Sequence, residues 1–201
     1  RPGYREVVNS ADLVVNDGIG VEIAARLQGR RFLGNLIGTD FIPEICAFGA
    51  SKGYKLYLLG GTEGVAERAR ETLISQFPGL IVSGTHHGFF DKDRCGDVLE
   101  SIRRAKPDIL LVGFGNPYQE EWISRYQEEL PGCVAIGVGA LFDYFAGVEP
   151  RAPEFVRRMH CEWVFRLLVA PRKKWRRYIL GNPLFLYRTV IDGLLKAQQR
   201  N

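Results

Sequence analysis

The stretch PDILLVGFGNPYQE, residues 107–120, decides the fold because it runs from a strand into a helix. Its first part, PDILLV, is apolar at successive positions, which is typical of a strand buried on both faces. The residues that follow, EWISRYQEEL at 121–130, have the apolar spacing of a helix. Gln119 and Glu120 then fall in the first turn of that helix. These two side chains either cap the helix or face a ligand at the strand end.

The same alternation of strand-like and helical runs extends over the first 150 residues. Strands are predicted at 11–17, 54–61, 80–88, 107–115 and 133–143. Helices are predicted at 20–29, 40–53, 63–77 and 97–106. Strands that are apolar throughout need helices on both faces, so the sequence predicts an α/β fold with a Rossmann-like, doubly wound, mainly parallel sheet.

Beyond Pro150 the pattern changes to large apolar residues mixed with Lys and Arg at helical spacing. Two or three amphipathic helices are predicted there, interrupted at Pro171 and Pro183. Residues 151–188 carry ten Lys or Arg against two acids, whereas residues 1–150 have a formal charge of −5. We therefore expect an α/β domain over residues 1–150 and a basic, amphipathic helical appendage over residues 151–201. Such an appendage attracts the phosphates of nucleic acid, lipid headgroups or pyrophosphate.

The composition argues against several classes of protein. The sequence has no run of 18 or more apolar residues and no apolar stretch behind its start, which predicts neither a membrane span nor a secretory signal. The four cysteines form no Cys-x-x-Cys pair, as expected for reduced thiols in a cytosolic protein. Because the chain begins with Arg1 rather than Met, we expect it to be a trimmed form of a longer sequence.

Glycine and polar residues are concentrated where the predicted strands end, which is where ligands bind in an open α/β sheet. The turn GGTEG, residues 60–64, precedes a predicted helix, and the N–H groups at a helix start suit a phosphate. This turn lacks the Gly-Lys-Ser/Thr of a P-loop and the spacing of Gly-x-Gly-x-x-Gly. An ordinary tight turn is therefore the alternative to a phosphate site.

Polar side chains at these strand ends are the candidates for chemistry. Asp17 follows the first predicted strand and is either a general base for a substrate hydroxyl or the N-cap of the next helix. Gln119 and Glu120 carry the same ambiguity, because acids and amides favour the first turn of a helix. Asp143, at the end of the last predicted strand, is a third candidate.

No metal site is predicted. The triplet DKD, residues 91–93, resembles an Asp-x-Asp metal-binding motif, but it precedes a helical run and is better explained as a turn that starts a helix. His86 and His87 are adjacent in a predicted strand, where their side chains would point to opposite faces and could not easily bind one ion.

Six segments together resemble the WecG/TagA/CpsF family of bacterial glycosyltransferases, over roughly residues 7–188. They are NSADLVVNDGIGVEIAARL (9–27), GTDFIPEI (38–45), LYLLGGTEGVAERA (56–69), DILLVGFGNPYQEEWI (108–123), AIGVGALFDYFAGVEPRAPEF (135–155) and CEWVFRLLVAPRKKWRR (161–177). As an ordered set these motifs are highly specific. The resemblance implies inverting transfer of a sugar from a UDP-sugar, such as UDP-N-acetylmannosamine or a related hexose, to an undecaprenyl-diphosphate-linked sugar. Its products would be precursors of teichoic acid or other envelope polysaccharides.

The resemblance also implies roles for individual residues. Asp17 would be the catalytic base, and Gln119 would contribute to the active site. The implied substrate-binding positions are Asn16, Gly18, Asn35, Gly60, Gly61, Gly115, Asn116, Pro117, Glu120, Gly139 and Asp143. The implied lipid-diphosphate-binding positions are Arg166, Lys173 and Arg176. Departures from the family pattern are Asn35, where many members have Arg, and Ala170, where the appendage usually has Glu.

The expected partners are the UDP-sugar, the lipid-linked acceptor and an anionic membrane surface, with no cofactor, no metal and no nucleic acid. The expected location is the inner face of the bacterial cytoplasmic membrane, and the oligomeric state is left open. Two alternatives remain for the whole protein: a non-catalytic scaffold of an envelope-polymer complex, and a soluble nucleotide-sugar enzyme with a free acceptor. For the appendage, the alternatives are an ordinary amphipathic helix packed on the body and a surface for single-stranded nucleic acid.

Overall fold

The computed structural model describes residues 3–16, 18–32, 36, 38–130, 132–159 and 161–198. The helices, in chain order, are α1 (Tyr4–Asn9), α2 (Ile19–Leu27), α3 (Gly38–Lys52), α4 (Val65–Gln76), α5 (Gly96–Ala105), α6 (Tyr118–Tyr126), α7 (Leu141–Phe145), α8 (Glu154–Arg158), α9 (Glu162–Val169), α10 (Pro171–Trp175) and α11 (Asn182–Gln198). The strands are β1 (Lys55–Gly60), β2 (Ile81–His86), β3 (Ile109–Gly113) and β4 (Val134–Gly137). A 3₁₀ turn at Gln127–Glu129 follows α6, and a π-helical segment at Arg176–Gly181 precedes α11.

The chain divides into two compact units. Residues 1–14 and 38–150 form the first, here called the α/β unit, and residues 15–37 and 151–201 form the second, here called the helical unit. Residues 15–37 therefore group with the C-terminal part of the chain. The functional division predicted at residue 150, between a catalytic domain and an appendage, stays a prediction.

The sheet of the α/β unit is parallel throughout, in the order β2-β1-β3-β4. Leu58 of β1 pairs with Leu111 of β3, and Leu111 pairs in turn with Ile136 of β4. The chain leaves β1 toward β2 on one side and then returns to β3 on the other side. The direction of winding thus reverses between β1 and β3, which makes their carboxyl ends the topological switch point of the sheet.

The core consists of two apolar layers, one on each face of the sheet. Leu56 and Leu58 of β1 pack in the layer that contains residues of α3, α4 and α7. Tyr57 and Leu59 alternate with them and pack in the layer that contains residues of α5 and α6. Because α4 and α6 cover opposite faces, the sheet is doubly wound. The Rossmann-like α/β prediction is confirmed.

Two predictions about strands were wrong. Residues 11–16 are not a strand: they pair with no neighbouring strand, and the side chains of Leu13 and Val14 are 76% and 58% exposed. The last strand is also shorter than predicted, because β4 ends at Gly137 and the chain turns at Gly139, which has φ +58°. Asp143 therefore lies in the first turn of α7 rather than at a strand end.

The helical unit consists of α2 and α8 to α11, and the described residues beyond 150 include no strand. Pro171 is the first residue of α10, which confirms the predicted interruption there. The interruption predicted at Pro183 was wrong: the π-helical segment continues directly into α11, and Pro183 is the second residue of that helix, where its missing N–H is tolerated. Tyr178 is buried, and its ring centroid lies 6.2 Å from that of Trp163. None of the helices, as far as their residues are described, combines the length and the apolar character needed to cross a bilayer.

Candidate active site

Glycines occupy the carboxyl ends of three neighbouring strands. A Cβ atom added to Gly60, at the end of β1, would lie 2.5 Å from the carbonyl oxygen of Gly113, at the end of β3. A Cβ atom added to Gly137, at the end of β4, would lie 2.7 Å from Nε2 of Gln119. Gly60, Gly113 and Gly137 are called the glycine row below. They are glycines because neighbouring protein atoms lie too close to the ends of β1, β3 and β4 to leave room for a side chain.

The turn from β1 to α4 begins at the glycine row. Its N-cap residue is Gly64, with φ +79°, and no side chain caps the helix. The N–H of Gly61 donates to the carbonyl oxygen of Gly113 over 3.3 Å, so the turn is attached to the end of β3. The first N–H groups of a helix have no intrahelical acceptor and lie at the positive end of its dipole. The N–H of Val65, the first residue of α4, already donates to the carbonyl oxygen of Thr62 over 3.0 Å, and Glu67 lies in the first turn of the helix, so a phosphate site at this turn stays a prediction.

Gln119 lies in the first turn of α6, as the sequence predicts, and its side chain is buried. Its Oε1 accepts hydrogen bonds from the N–H of Gly115 over 3.2 Å and from the N–H of Gly139 over 2.9 Å. Its Nε2 donates to Oε1 of Glu120 over 2.9 Å. Both ends of the amide are thus engaged within the protein. The side chain ties the turn after β3 to the turn after β4.

Glu120 has two oxygens in contrasting surroundings. Its Oε1 accepts from Gln119, whereas its Oε2 is buried and has no hydrogen-bond partner among the described residues. Leaving a buried carboxylate oxygen without a donor costs free energy, so such an atom in a folded protein calls for an explanation. A donor supplied by a ligand would satisfy it.

Tyr4 of α1 borders the same turn. The side-chain amide of Asn116 donates a hydrogen bond to the hydroxyl of Tyr4. Burial raises the pKa of Tyr4, and the charge of Glu120 raises it further, while the hydrogen bond from Asn116 lowers it. The peptide bond between Asn116 and Pro117 is cis. The α1 helix therefore forms part of the surroundings of the β3–α6 turn.

The DKD triplet is a structural turn, as predicted. Oδ1 of Asp91 accepts the N–H of Asp93 over 2.9 Å, and Asp93 forms an ion pair with Arg125 of α6. The expectation for the histidines was wrong: β2 ends at His86, and the ring centroids of His86 and His87 lie 4.6 Å apart. The described part of the chain contains no group of three or more His, Cys, Asp or Glu side chains placed to hold a metal ion. The absence of a metal stays a prediction.

The remaining predicted residues belong to the helical unit or lie outside the described residues. Asn16 is buried, and its carbonyl oxygen accepts the N–H of Leu36 over 3.2 Å. Gly18, with φ +91°, is the N-cap of α2. Asp17 and Asn35 lie outside the described residues, so their roles stay predictions.

Arg166 and Arg176 both lie in the helical unit. Arg166 forms an ion pair with Glu162 at 2.7 Å, and the guanidinium carbon of Arg176 lies 5.6 Å from the ring centroid of Trp175. Lys173 belongs to α10, where only its backbone is described. The role of these three residues in binding a lipid diphosphate stays a prediction.

A basic cavity in the helical unit was missed from the sequence. It has a volume of about 550 Å³ and is lined by Glu22, Arg26, Gly29, Arg30, Arg31 and Phe32. Arg26 is paired with Glu22 at 2.5 Å. The adjacent arginines after Gly29 were the signal in the sequence, but a pair of basic residues in a loop is too common to indicate a cavity.

Comparison with known proteins agrees with this geometry. The family model described as "Glycosyl transferase WecG/TagA/CpsF family" matches residues 1–200. The chain belongs to this family. It is therefore a glycosyltransferase, and an enzyme, as the resemblance of its motifs implied.

Three curated relatives of this glycosyltransferase carry the name N-acetylglucosaminyldiphosphoundecaprenol N-acetyl-beta-D-mannosaminyltransferase. The relative from Bacillus spizizenii is 34% identical over 178 residues, which are 89% of this chain and 68% of the relative. The relative from Bacillus subtilis is 32% identical over 176 residues, covering 88% and 68%. The relative from Staphylococcus aureus is 32% identical over 187 residues, covering 92% and 71%.

Within the α/β unit of this glycosyltransferase, the structure brings together most of the predicted substrate-binding positions. Gly115, Gln119, Glu120 and Gly139 are joined by hydrogen bonds. Gly60 and Gly61 adjoin them through the glycine row. The sequence did not single out Tyr4 or Lys92 as site residues, because both contact this region from segments that are distant from it in sequence.

Proposed function

We propose that this glycosyltransferase moves N-acetylmannosamine from its UDP-sugar onto N-acetylglucosamine carried by undecaprenyl diphosphate. The names of the three relatives support both the sugar that is transferred and the lipid-linked acceptor. The family supports the reaction class over nearly the whole chain. The product is then a lipid-linked disaccharide of the kind used for teichoic acid and related envelope polymers.

The observation that carries the proposal on the structural side is the unpartnered oxygen of Glu120. Sugars present many hydroxyl donors, and a carboxylate fixed by Gln119 is a suitable acceptor for one of them. The site lies at the strand ends, where this class of fold binds its ligands. Because Oε2 is enclosed in this structure, we infer that the side chain of Glu120 turns when the sugar binds, so that Oε2 accepts one of its hydroxyls.

The diphosphate of the donor is proposed to bind at the β1–α4 turn. A helix start without a side-chain cap, preceded by Gly60 and Gly61, supports this position. Preorganised N–H groups stabilise the negative charge that develops on the departing UDP. No step of this proposal is routed through a metal ion.

The proposed reaction is a single displacement with inversion. The hydroxyl oxygen of the acceptor forms a bond to the anomeric carbon, while the bond from that carbon to the UDP oxygen breaks and its electron pair leaves with UDP. Asp17 is the proposed base that takes the hydroxyl proton, a role that contributes about 10²- to 10⁴-fold to the rate.

Gln119 is proposed to act on the geometry of the site and not on the reacting atoms. Its amide is already engaged with Gly115, Gly139 and Glu120, which supports a role in holding the two turns at their proper separation. The position of Glu120 depends on this contact. Gln119 is therefore a positioning residue in the proposed mechanism.

The helical unit is proposed to bind the inner face of the cytoplasmic membrane. Exposed large apolar residues alternate with basic residues in α9 to α11, for example Trp163, Leu168, Trp175 and Phe185. This composition suits the interface between lipid headgroups and acyl chains. Arg166, Lys173 and Arg176 are proposed to bind the diphosphate of the acceptor.

The experiment that tests this function measures UDP release by the full chain. The acceptor is a short-chain lipid diphosphate that carries N-acetylglucosamine, and the donors are a panel of UDP-sugars. Asp17→Asn tests the base, and Asp12→Asn, which removes an exposed carboxylate five positions earlier in the sequence, is the matched control. We expect release with UDP-N-acetylmannosamine that requires the acceptor and falls at least about a hundredfold in Asp17→Asn only.

Other outcomes distinguish the alternatives. Release with a free sugar as acceptor would support the soluble nucleotide-sugar enzyme. Absence of release with every donor, together with absence of UDP binding by calorimetry, would support the non-catalytic scaffold. Normal turnover of Asp17→Asn would remove Asp17 from the role of base, and analysis of the product's anomeric configuration by NMR tests inversion.

A further inference from the structure

Lys92 is the central residue of the DKD triplet, and it is held at the carboxyl edge of the sheet by four contacts. Its Nζ donates hydrogen bonds to the carbonyl oxygen of Gly88 and to that of Phe90, the latter over 3.1 Å. The same nitrogen lies 3.7 Å from the ring centroid of Phe90 and 4.3 Å from that of Phe114. The ammonium group is therefore enclosed between two aromatic rings and two carbonyls.

These contacts join two segments that are distant in sequence. Gly88 and Phe90 belong to the loop that follows β2, whereas Phe114 belongs to the turn that follows β3. The two rings also meet each other edge to face, with centroids 5.7 Å apart. A favourable cation–π geometry over both rings makes Lys92 the common anchor of the two segments.

The anchored loop lies directly against the β1–α4 turn. The N–H of Gly88 donates to the carbonyl oxygen of Gly61 over 2.8 Å. A Cβ atom added to Gly88 would lie 3.2 Å from Cα of Gly60, 3.3 Å from the nitrogen of Gly61 and 3.2 Å from Cδ1 of Phe114. Gly88 therefore lies between the ammonium group of Lys92 and the turn that contains Gly60 and Gly61.

The surroundings of Lys92 are not those of an ordinary surface lysine. Burial lowers its pKa, while the neighbouring groups of Cys95 and Asp91 act in the opposite direction. Of the two acids beside it in sequence, Asp93 is paired with Arg125, and Asp91 accepts a backbone N–H. Neither carboxylate is within salt-bridge distance of Nζ in the described structure. A positive charge is therefore fixed next to the turn, with no ion-pair partner among the described residues.

We propose that Lys92 is a positioning residue for the diphosphate of the donor: it fixes the loop after β2 and Phe114 around the Gly60–Gly61 turn and places a positive charge beside that turn. The inference rests on the proposed function, because it assumes that a nucleoside diphosphate binds there. Lys92 would supply a positive charge for the donor diphosphate, which none of the predicted substrate-binding residues carries. A fixed positive charge acts more strongly on a diphosphate than on a monophosphate or a nucleoside, because the diphosphate carries more negative charge.

The test measures the dissociation constants of UDP, UMP and uridine by calorimetry for the full chain and its variants. Lys92→Met keeps the length and apolar stem of the side chain and removes the charge, and the thioether packs well between aromatic rings. Lys92→Arg keeps the charge. Lys52→Met is the matched control, because Lys52 also lies over an aromatic ring, that of Phe48, but ends α3 ahead of β1.

We expect Lys92→Met to weaken UDP binding roughly tenfold or more, UMP binding less and uridine binding hardly at all. Lys92→Arg should recover most of the loss, and Lys52→Met should bind all three as the parent does. Equal weakening of the three ligands, or an unchanged affinity for UDP, would overturn the proposal. If Lys92→Met does not fold, Lys92→Gln, which can still donate to a carbonyl, decides the same question with the same ligands.

The failure of this inference can be told apart from failure of the proposed function. A parent protein that binds UDP while Lys92→Met binds it equally well contradicts only the role of Lys92. A parent protein that binds no UDP contradicts the donor site itself, and the inference then falls with it.

Discussion

The backbone N–H of Gly139 donates a hydrogen bond to Oε1 of Gln119 over 2.9 Å, so a residue after β4 is held by a side chain that starts the helix after β3. Gly115 donates to the same oxygen over 3.2 Å. Replacing Gln119 with Ala leaves both N–H groups without this acceptor. At about 1–3 kcal/mol for each unsatisfied group, we expect Gln119→Ala to lower the free energy of unfolding by roughly 2–6 kcal/mol. Urea unfolding measures this loss.

Gln119→Glu tests the contact between Gln119 and Glu120 by introducing a second negative charge. The new carboxylate would lie where Nε2 now donates to Glu120, and two neighbouring carboxylates raise the pKa of the pair in the folded state. A raised folded pKa means that stability is lost as pH rises through it, so Gln119→Glu should be more destabilised at pH 8 than at pH 5. An equal loss of stability at both pH values would contradict the contact between Gln119 and Glu120.

Glu120→Gln should separate stability from activity. The substitution removes a buried carboxylate oxygen that has no partner among the described residues, so the free energy of unfolding should stay the same or rise by up to about 1–3 kcal/mol. If that oxygen accepts a sugar hydroxyl, kcat/KM should fall at least roughly tenfold, because the acceptor is replaced by a donor. Loss of stability, or retention of full activity, would show that Oε2 of Glu120 has a partner within the protein instead of a sugar hydroxyl.

The glycine row predicts a sharp difference between two Gly→Ala variants. A Cβ at Gly60 would lie 2.5 Å from a backbone oxygen, which neither strand can avoid without shifting, whereas a Cβ at Gly96 would have no heavy atom within 4 Å. Overpacking of this kind typically costs about 1–3 kcal/mol. We expect Gly60→Ala to lower the melting temperature and weaken UDP binding, and Gly96→Ala to change neither. Similar behaviour of the two variants would contradict the close approach of β1 and β3.

Vesicle flotation tests the membrane role of the helical unit. Each basic residue near an anionic surface contributes about 1 kcal/mol, so changing Arg172, Lys173 and Arg176 to Gln should weaken binding to anionic vesicles roughly a hundredfold. The matched control changes three exposed basic residues of the α/β unit, namely Lys52, Arg70 and Arg104. An equal effect in both triple variants would point to net charge alone, and salt-sensitive RNA binding without vesicle binding would favour the nucleic-acid alternative.

Two cysteines should resist alkylation in the native protein. Burial raises the pKa of Cys46 to about 12, and burial together with the charge of Asp108 raises the pKa of Cys133 to about 11. At pH 8 both thiols remain protonated and unreactive, because the thiolate is the nucleophile. Iodoacetamide labelling followed by peptide mass spectrometry should therefore modify the more accessible Cys161 first, and Cys46 only after unfolding. Rapid labelling of native Cys46 would contradict the packing of α3 on the sheet.

The sequence predicted the elements whose apolar pattern has only one structural solution. β1 and β3 are apolar throughout because helices cover both faces, and their positions were right to within a few residues. Residues 11–16 also contain a run of apolar residues. A strand additionally requires a neighbouring strand with free backbone N–H and C=O groups, and the pattern within one segment does not show whether such a neighbour exists. The prediction there was wrong for that reason.

The candidate site shows the same division between local and non-local information. Gln119 could be placed in the first turn of α6 from its distance to the strand, but its acceptor role toward Gly139 depends on how β4 lies beside β3. The strand prediction that included Asp143 failed because a turn at Gly139 separates it from β4. Lys92 was read only as the middle of a triplet, since the ring of Phe114 reaches it through the fold.

The glycine row has a consequence for anyone who wishes to redesign the sugar preference of this enzyme. Each Cβ added at Gly60, Gly113 or Gly137 would collide with a protein atom less than 3 Å away. Randomised libraries should therefore leave these three codons fixed. Diversity is better directed to Asn116 and Glu120, which are proposed to border the sugar and whose side chains can be exchanged without these collisions.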